Sequence, residues 1–193
     1  MQATDMKEHI KEFRQPAYTI DSMFVNRWSP RAFQEKDVPE DTLKSILEAA
    51  RWAPSAMNKQ PWRFILARTK NDQELFYTFI MEGNLKWCKK APVLIAILSE
   101  KSTGSHAFDT GTAWGYLALQ AAQKGLAAHA MGGFDKEKAR EVLNIPDDYA
   151  IHAIVALGYQ GDKEELPNDL QEREQPSDRK PIEETVFEGT FRI

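Results

Sequence analysis

AARWAPSAMNKQPWRF, residues 49–64, leaves a helical pattern, crosses a polar loop and enters a strand. Pro54 and Pro61 bracket the loop. Each disfavours helical dihedrals in the residue before it, so the turn between them is expected to be stiff and to hold its side chains in fixed directions. Those side chains include Ser55, Asn58 and Gln60. An amide offers donors and an acceptor together, which suits it to the edge of a heterocycle in which N–H and C=O groups alternate. Ser, Asn, Gln and Pro are also ordinary loop residues, so the stretch alone leaves both readings open.

Upstream, Leu43, Ile46, Leu47 and Ala50 follow helical spacing, and Pro39, Glu40 and Asp41 occupy a first turn where acids oppose the helix dipole. This helix is expected to end before Pro54. Before it stands Arg27-Trp28-Ser29-Pro30-Arg31. Pro30 argues against a helix interior, and in an extended chain positions i, i+2 and i+4 face the same way. Two guanidinium forks and a hydroxyl would then converge on one point, which is suitable chemistry for a phosphate. A solvated turn fits the same residues about as well. Nearer the start, Ile10 and Phe13, then Tyr18, Ile20, Met23 and Phe24, suggest two short helices separated near Gln15-Pro16.

The order R-x-S-x-R, amphipathic helix, P-S-x-x-N-x-Q-P-W resembles the nitroreductase family of FMN-dependent oxidoreductases. The resemblance extends from about Phe24 to the region of Pro181. It implies an α+β sandwich, a central and mainly antiparallel sheet surrounded by helices, in an intertwined homodimer with flavin sites shared between chains. It further implies FMN as cofactor, NADH or NADPH as reductant and a small aromatic acceptor such as a nitroaromatic or quinone. Arg27, Trp28, Ser29 and Arg31 would lie at the FMN phosphate. Asn58 and Gln60 would contact the flavin's polar edge or ribityl chain, and Pro54 and Ser55 would come from the partner subunit. Enzymes of the same superfamily that dehalogenate an aromatic ring or fragment flavin remain alternatives, as does a flavin-binding protein without turnover.

Downstream, Trp62–Thr69 reads as a strand and 71–80 as a helix with Asn71-Asp72 near its cap. Val93–Leu98 is a continuous apolar run, expected at the centre of the sheet with both faces covered. Asn84 precedes it at about the distance of a flavin-contacting Asn in the family; a lone Asn after Gly83 is also an ordinary turn residue. Residues 107–123 carry one formal charge, Asp109, among small and apolar neighbours. Such a helix must be buried on nearly all sides. A central core helix in a monomer and an interface helix both satisfy the pattern, and the resemblance favours the dimer. Gly125 ends this helix, Ala127–Met131 is a strand, and Lys136–Leu143 is a helix.

Between those last two elements lies Gly132-Gly133-Phe134-Asp135. Two glycines let a backbone approach a planar ligand closely, or form a plain strand-to-helix turn. The family's x-G-F-D element would put the Gly133 N–H near flavin N5 and O4. Many members have Glu where Gly132 stands, so no side chain acts at that position here. Ile151–Leu157 reads as a further buried strand. Residues 160–180 are polar enough to suggest a mobile, extended C-terminal segment. The family's R-x-P motif, matched by Arg179-Lys180-Pro181, implies that the chain returns there to supply another phosphate ligand. Some relatives carry a further basic residue where this chain has Ser177-Asp178. The tail 185–191 is strand-like and would pair with the partner's sheet, as in many relatives.

The 193 residues contain 42% hydrophobic and 28% charged side chains, an ordinary globular balance for which a single domain, 1–193, is the expectation. No apolar run has the length of a membrane span, and the charged beginning MQATDMKEHIKEF lacks a signal-peptide core, so a cytoplasmic location is expected. A net charge of −4 and the lack of a basic stripe argue against nucleic acid as a partner. Cys88 is the lone cysteine, which excludes an internal disulfide and a CxxC redox pair. Any redox chemistry must therefore come from a cofactor, and the hydride transfer that the family resemblance implies requires no catalytic side chain. The sequence has no G-x-S-x-G, HExxH, P-loop or GxGxxG motif. His106, His129 and His152 are expected as core or surface histidines and not as a metal site or triad.

Overall fold

In the computed structural model, which describes residues 6–191, the apolar run is the strand β2, Val93–Glu100. It alternates between two cores. Leu94, Ala96 and Leu98 enter one; Val93, Ile95 and Ile97 enter the other. With β1 (Trp62–Ala67), β3 (Ala127–Met131) and β4 (Tyr149–Gly158) it forms a sheet of order β1-β2-β4-β3. Every neighbouring pair in it is antiparallel. The register slips between Ile97 and Leu98, which pair with Ala153 and Ile151, so His152 is the extra residue of a bulge in β4.

Helices cover both faces. α3 (Glu40–Arg51) and α6 (His106–Gln123) bury Leu43, Ile46, Ala113 and Leu117 against one. α4 (Lys70–Tyr77), α5 (Glu82–Cys88), α7 (Lys136–Val142) and α8 (Asn168–Gln171) bury Phe76, Trp87, Ala139 and Leu170 against the other. The short helices α1 (Glu8–Lys11) and α2 (Ser22–Asn26) precede the sandwich. The start of the charged N-terminal stretch, residues 1–5, lies outside the described residues. Among the described residues no helix is long and apolar enough to cross a membrane.

α4 is capped by Thr69, with the expected Asn71-Asp72 next to the cap: the Thr69 hydroxyl accepts from the Asp72 N–H while Asp72 accepts from the Thr69 N–H. Three expectations are corrected. Gly83 and Asn84, which suggest a turn, lie inside α5, because that helix buries Trp87 and Cys88 and tertiary packing outweighs local propensity. Residues 160–180 dock against the rest of the protein at several points. Gly161 N–H donates to Ala32 O (2.9 Å), and Leu166 and Leu170 are buried among the many charges of the segment. Within the protomer the tail 185–191 forms no strand; Ile182–Glu184 is a 3-10 turn followed by exposed turns and bends. A strand without a ladder partner leaves its backbone groups to water, and here Phe187 and Phe191 pack locally, 4.8 Å apart.

α6 departs from burial on nearly all sides. Asp109, Thr110, Ala113, Leu117, Ala118 and Ala121 face the protein, while Ala107, Phe108, Gly111 and Tyr116 face outward, Phe108 being 81% exposed.

Candidate functional site

The chain turns from α2 into extended backbone at Arg27 (φ −75, ψ 122). This brings Arg27 Nη1 to 3.1 Å from Ser29 Oγ, so the alternation expected for R-x-S-x-R is realised. Arg27, Trp28, Ser29 and Arg31 line one cleft of about 390 Å³, and Arg14, His129, Arg173 and Arg179 line it with them. Burial first, then Arg179, lowers the pKa of Arg27. Burial and Arg173 lower that of Arg31, against the opposing effect of Glu174. Cationic charge is thus concentrated beyond what nearby acids neutralise. Arg27 has no carboxylate within 4.0 Å among the described residues.

Two unforeseen residues hold this wall in place. Glu174 is buried, and its carboxylate accepts from the backbone N–H groups of Arg31 (2.7 Å) and Ala32 (2.9 Å). His129 Nδ1 lies 2.9 Å from Pro30 O, and its ring lies 4.6 Å from Trp87. Burial lowers the His129 pKa, so neutral imidazole donating to the carbonyl is the favoured form. Glu174 stands in a run of charged residues and His129 in a strand of alanines, and neither position carries a local signal. The link is entirely tertiary.

A second groove of about 410 Å³ meets the cleft at Arg27 and Ser29 and continues along Trp114, Gly115, Ala118 and Ala130. At Gly115 an added Cβ would meet nothing within 4 Å, so the groove is open there, with Phe24 and Leu119 also on its lining. Ala130 leads to Gly132 and Gly133. Gly132 is exposed and open. At Gly133 an added Cβ would come within 2.6 Å of Asn84 Nδ2, so a larger residue there would displace the Asn84 side chain. Asn84 Nδ2 donates to Gly133 O (3.0 Å), as does Met81 N (3.1 Å), so the two predicted residues are brought together. The Gly133 N–H has no partner among the described residues.

The loop 54–61 lies elsewhere on the protomer: Pro54, Ser55, Asn58 and Gln60 line neither the cleft nor the groove. It is stiff by more than its prolines. Met57, Asn58 and Gln60 adopt left-handed φ of 50, 54 and 48°. Gln60 N donates to Ser55 Oγ (3.0 Å), and Ala56 N to the buried Asp109 carboxylate (3.2 Å). Beside the loop stand uncovered apolar side chains, with Trp52 69% and Met57 80% exposed.

The fold and site together define a class: a helix-covered antiparallel sheet with an arginine-lined cleft beside its edge strand β3, continuous with a second groove along α6. The chain belongs to the nitroreductase family, whose model matches residues 25–86 and 71–159. A crystal structure described as an oxidoreductase containing FMN is 46% identical, with a TM-score of 0.90 over 93% of this chain and 96% of that one. An NADH dehydrogenase of Thermus thermophilus is 28% identical over 89% of this chain and 97% of its own. An iodotyrosine deiodinase of Thermotoga neapolitana is 28% identical over 70% and 86%.

Proposed function

We propose that the protein is an FMN-dependent oxidoreductase that uses NADH or NADPH to reduce a small aromatic acceptor, a nitroaromatic or a quinone, by ping-pong exchange at one site. The carrying observation is the cleft at Arg27, Ser29, Arg31 and Arg179, which gathers the half-buried cations Arg27 and Arg31 with the exposed Arg179, Arg27 lacking a nearby carboxylate among the described residues, beside a groove lined by Trp114, Gly115 and Ala118. A phosphate joined to a planar ring matches both parts. The chemistry FMN supplies when bound is acceptance of hydride from the nicotinamide and its transfer to the acceptor.

The chain's own residues bind and orient. Arg27 and Arg31 offer charge-assisted donors to the phosphate, with Ser29 as a neutral donor. The partnerless Gly133 N–H is assigned to the N5/O4 edge, where a donor favours the electron-rich ring. Asn84 holds that peptide in place through Gly133 O. Pro54, Ser55, Asn58 and Gln60, remote from the cleft of their own protomer, are assigned to the site of a second copy. That copy would also cover Met57 and Phe108. On this reading the functional unit is a homodimer, and the crystallised relative containing FMN supports the choice of cofactor.

The test is a visible spectrum of the purified protein, followed by anaerobic NADH or NADPH. A yellow protein bleached by either, with colour restored by a quinone or nitroaromatic, is expected. A colourless protein that FMN cannot reconstitute would sink the reading. Restoration of colour only by a halogenated phenol would favour reductive dehalogenation, the chemistry named for the Thermotoga relative. The double variant Arg27→Ala/Arg31→Ala should remain folded by circular dichroism and lose its flavin.

A further inference from the structure

Arg14 lies just beyond α1, in a stretch with no phosphate-binding pattern, yet its side chain reaches the cleft. The residue is 7% exposed. Its Nη1 donates to Val25 O (2.6 Å) and Arg27 O (2.7 Å), and its Nε to Ser177 O (2.8 Å). One guanidinium therefore ties the Arg27–Ser29 wall of the cleft to the wall formed by Ser177 and Arg179. Its remaining nitrogen, Nη2, has no partner among the described residues, and it is not among the side-chain atoms sealed away from solvent. No carboxylate of the described residues comes within 4.0 Å of the group. Carbonyl dipoles satisfy its N–H bonds without neutralising it, and a buried cation lacking a counter-ion is costly. Arg27 and Arg179 raise that cost, and Asp178 relieves part of it.

We propose that Arg14 completes the anion site of the cleft: Nη2 donates to a phosphate monoester held by Arg27, Ser29 and Arg31, while Nε and Nη1 fix the spacing of the two walls. The proposal rests on the FMN reading and assigns Arg14 to the phosphate, not to the ring. The neutral partners of its other nitrogens leave its full charge for the ligand. Docking of the N-terminal segment and binding of the phosphate then stabilise one another, because the same guanidinium serves both.

The test compares FMN with riboflavin, which has the ring and ribityl chain but no phosphate. Apo-protein is titrated with each by flavin fluorescence, for wild type, Arg14→Ala, Arg14→Lys and Arg14→Gln. Arg14→Ala should weaken FMN tenfold or more and leave riboflavin nearly unchanged. Arg14→Lys should keep part of the preference for FMN. Arg14→Gln, which retains donors for the carbonyls without the charge, should lose it. Inorganic phosphate should raise the melting temperature of wild type and not that of Arg14→Gln. Should Arg14→Ala fail to fold, the Lys and Gln variants decide alone. Equal losses of FMN and riboflavin affinity, or an Arg14→Gln protein that prefers FMN as strongly as wild type, would reduce Arg14 to a structural clasp and overturn the proposal. A wild type that binds riboflavin as tightly as FMN would overturn the FMN reading itself, and the proposal with it.

Discussion

Ser99 has no exposed surface, and its hydroxyl lies 2.6 Å from both His106 Nδ1 and His152 Nε2. A hydroxyl carries one proton, so one ring must accept it while the other donates to the oxygen. That arrangement is complete with both rings neutral. A second positive ring would face its neighbour 6.1 Å away, with Lys136 nearby. Burial, then His106 and Lys136, accordingly lower the pKa of His152 below 6.5. The folded protein binds this proton less readily than the unfolded chain does. The stabilising effect of a neutral His152 is therefore full above pH 6.5 and is lost as the pH falls through its depressed folded pKa; His129, lowered by burial, adds in the same direction. Urea midpoints measured from pH 7.5 to 5 should fall, and His152→Gln should flatten that decline. The sequence presents Ser99 and the two histidines as isolated residues in three elements, and the bulge in β4 that helps to assemble them has no local signature.

α3 and β2 are legible because their periodicities, 3.6 residues in one and unbroken apolarity in the other, are imposed by the layers that cover them. α5 is not, since Gly83 and Asn84 weaken its local signal and the gain comes from burying Trp87. α6 lies between these cases. Its inner stripe packs on β2 and α3, with Leu117 fully buried. Leu117→Ala should cost about 2–5 kcal/mol in chemical denaturation, from lost transfer energy and the cavity left behind. The outer stripe, with Phe108 and Tyr116, contributes nothing comparable within the protomer.

For the whole molecule, the open stripe of α6 and the exposed Trp52 and Met57 form apolar surface that a second copy would remove from water. The protein is expected to sediment as a dimer. Phe108→Glu should shift it towards monomer and lower its FMN retention together, because the partner's Ser55, Asn58 and Gln60 would leave the site. A monomeric Phe108→Glu protein with full flavin would contradict the shared site. Bound FMN should also raise overall stability, by about 2.7 kcal/mol at a free concentration one hundred times its Kd, readable as a higher Tm than in the apo-protein.

Residue type and spacing alone determined the order of the main helices and strands, the central place of β2 and the convergence of Arg27 with Ser29. Each follows from interactions within a few residues or from a periodicity that burial writes along the chain. Only the tertiary structure decided that Arg14, His129 and Glu174 belong to the same wall. Their partners lie between 11 and 163 positions away. It also decided that Asn84 packs against Gly133, and that the loop 54–61 does not line the cleft of its own protomer. Such contacts depend on how the layers stack, and no local pattern records a hydrogen bond whose two ends meet only after the sheet has closed.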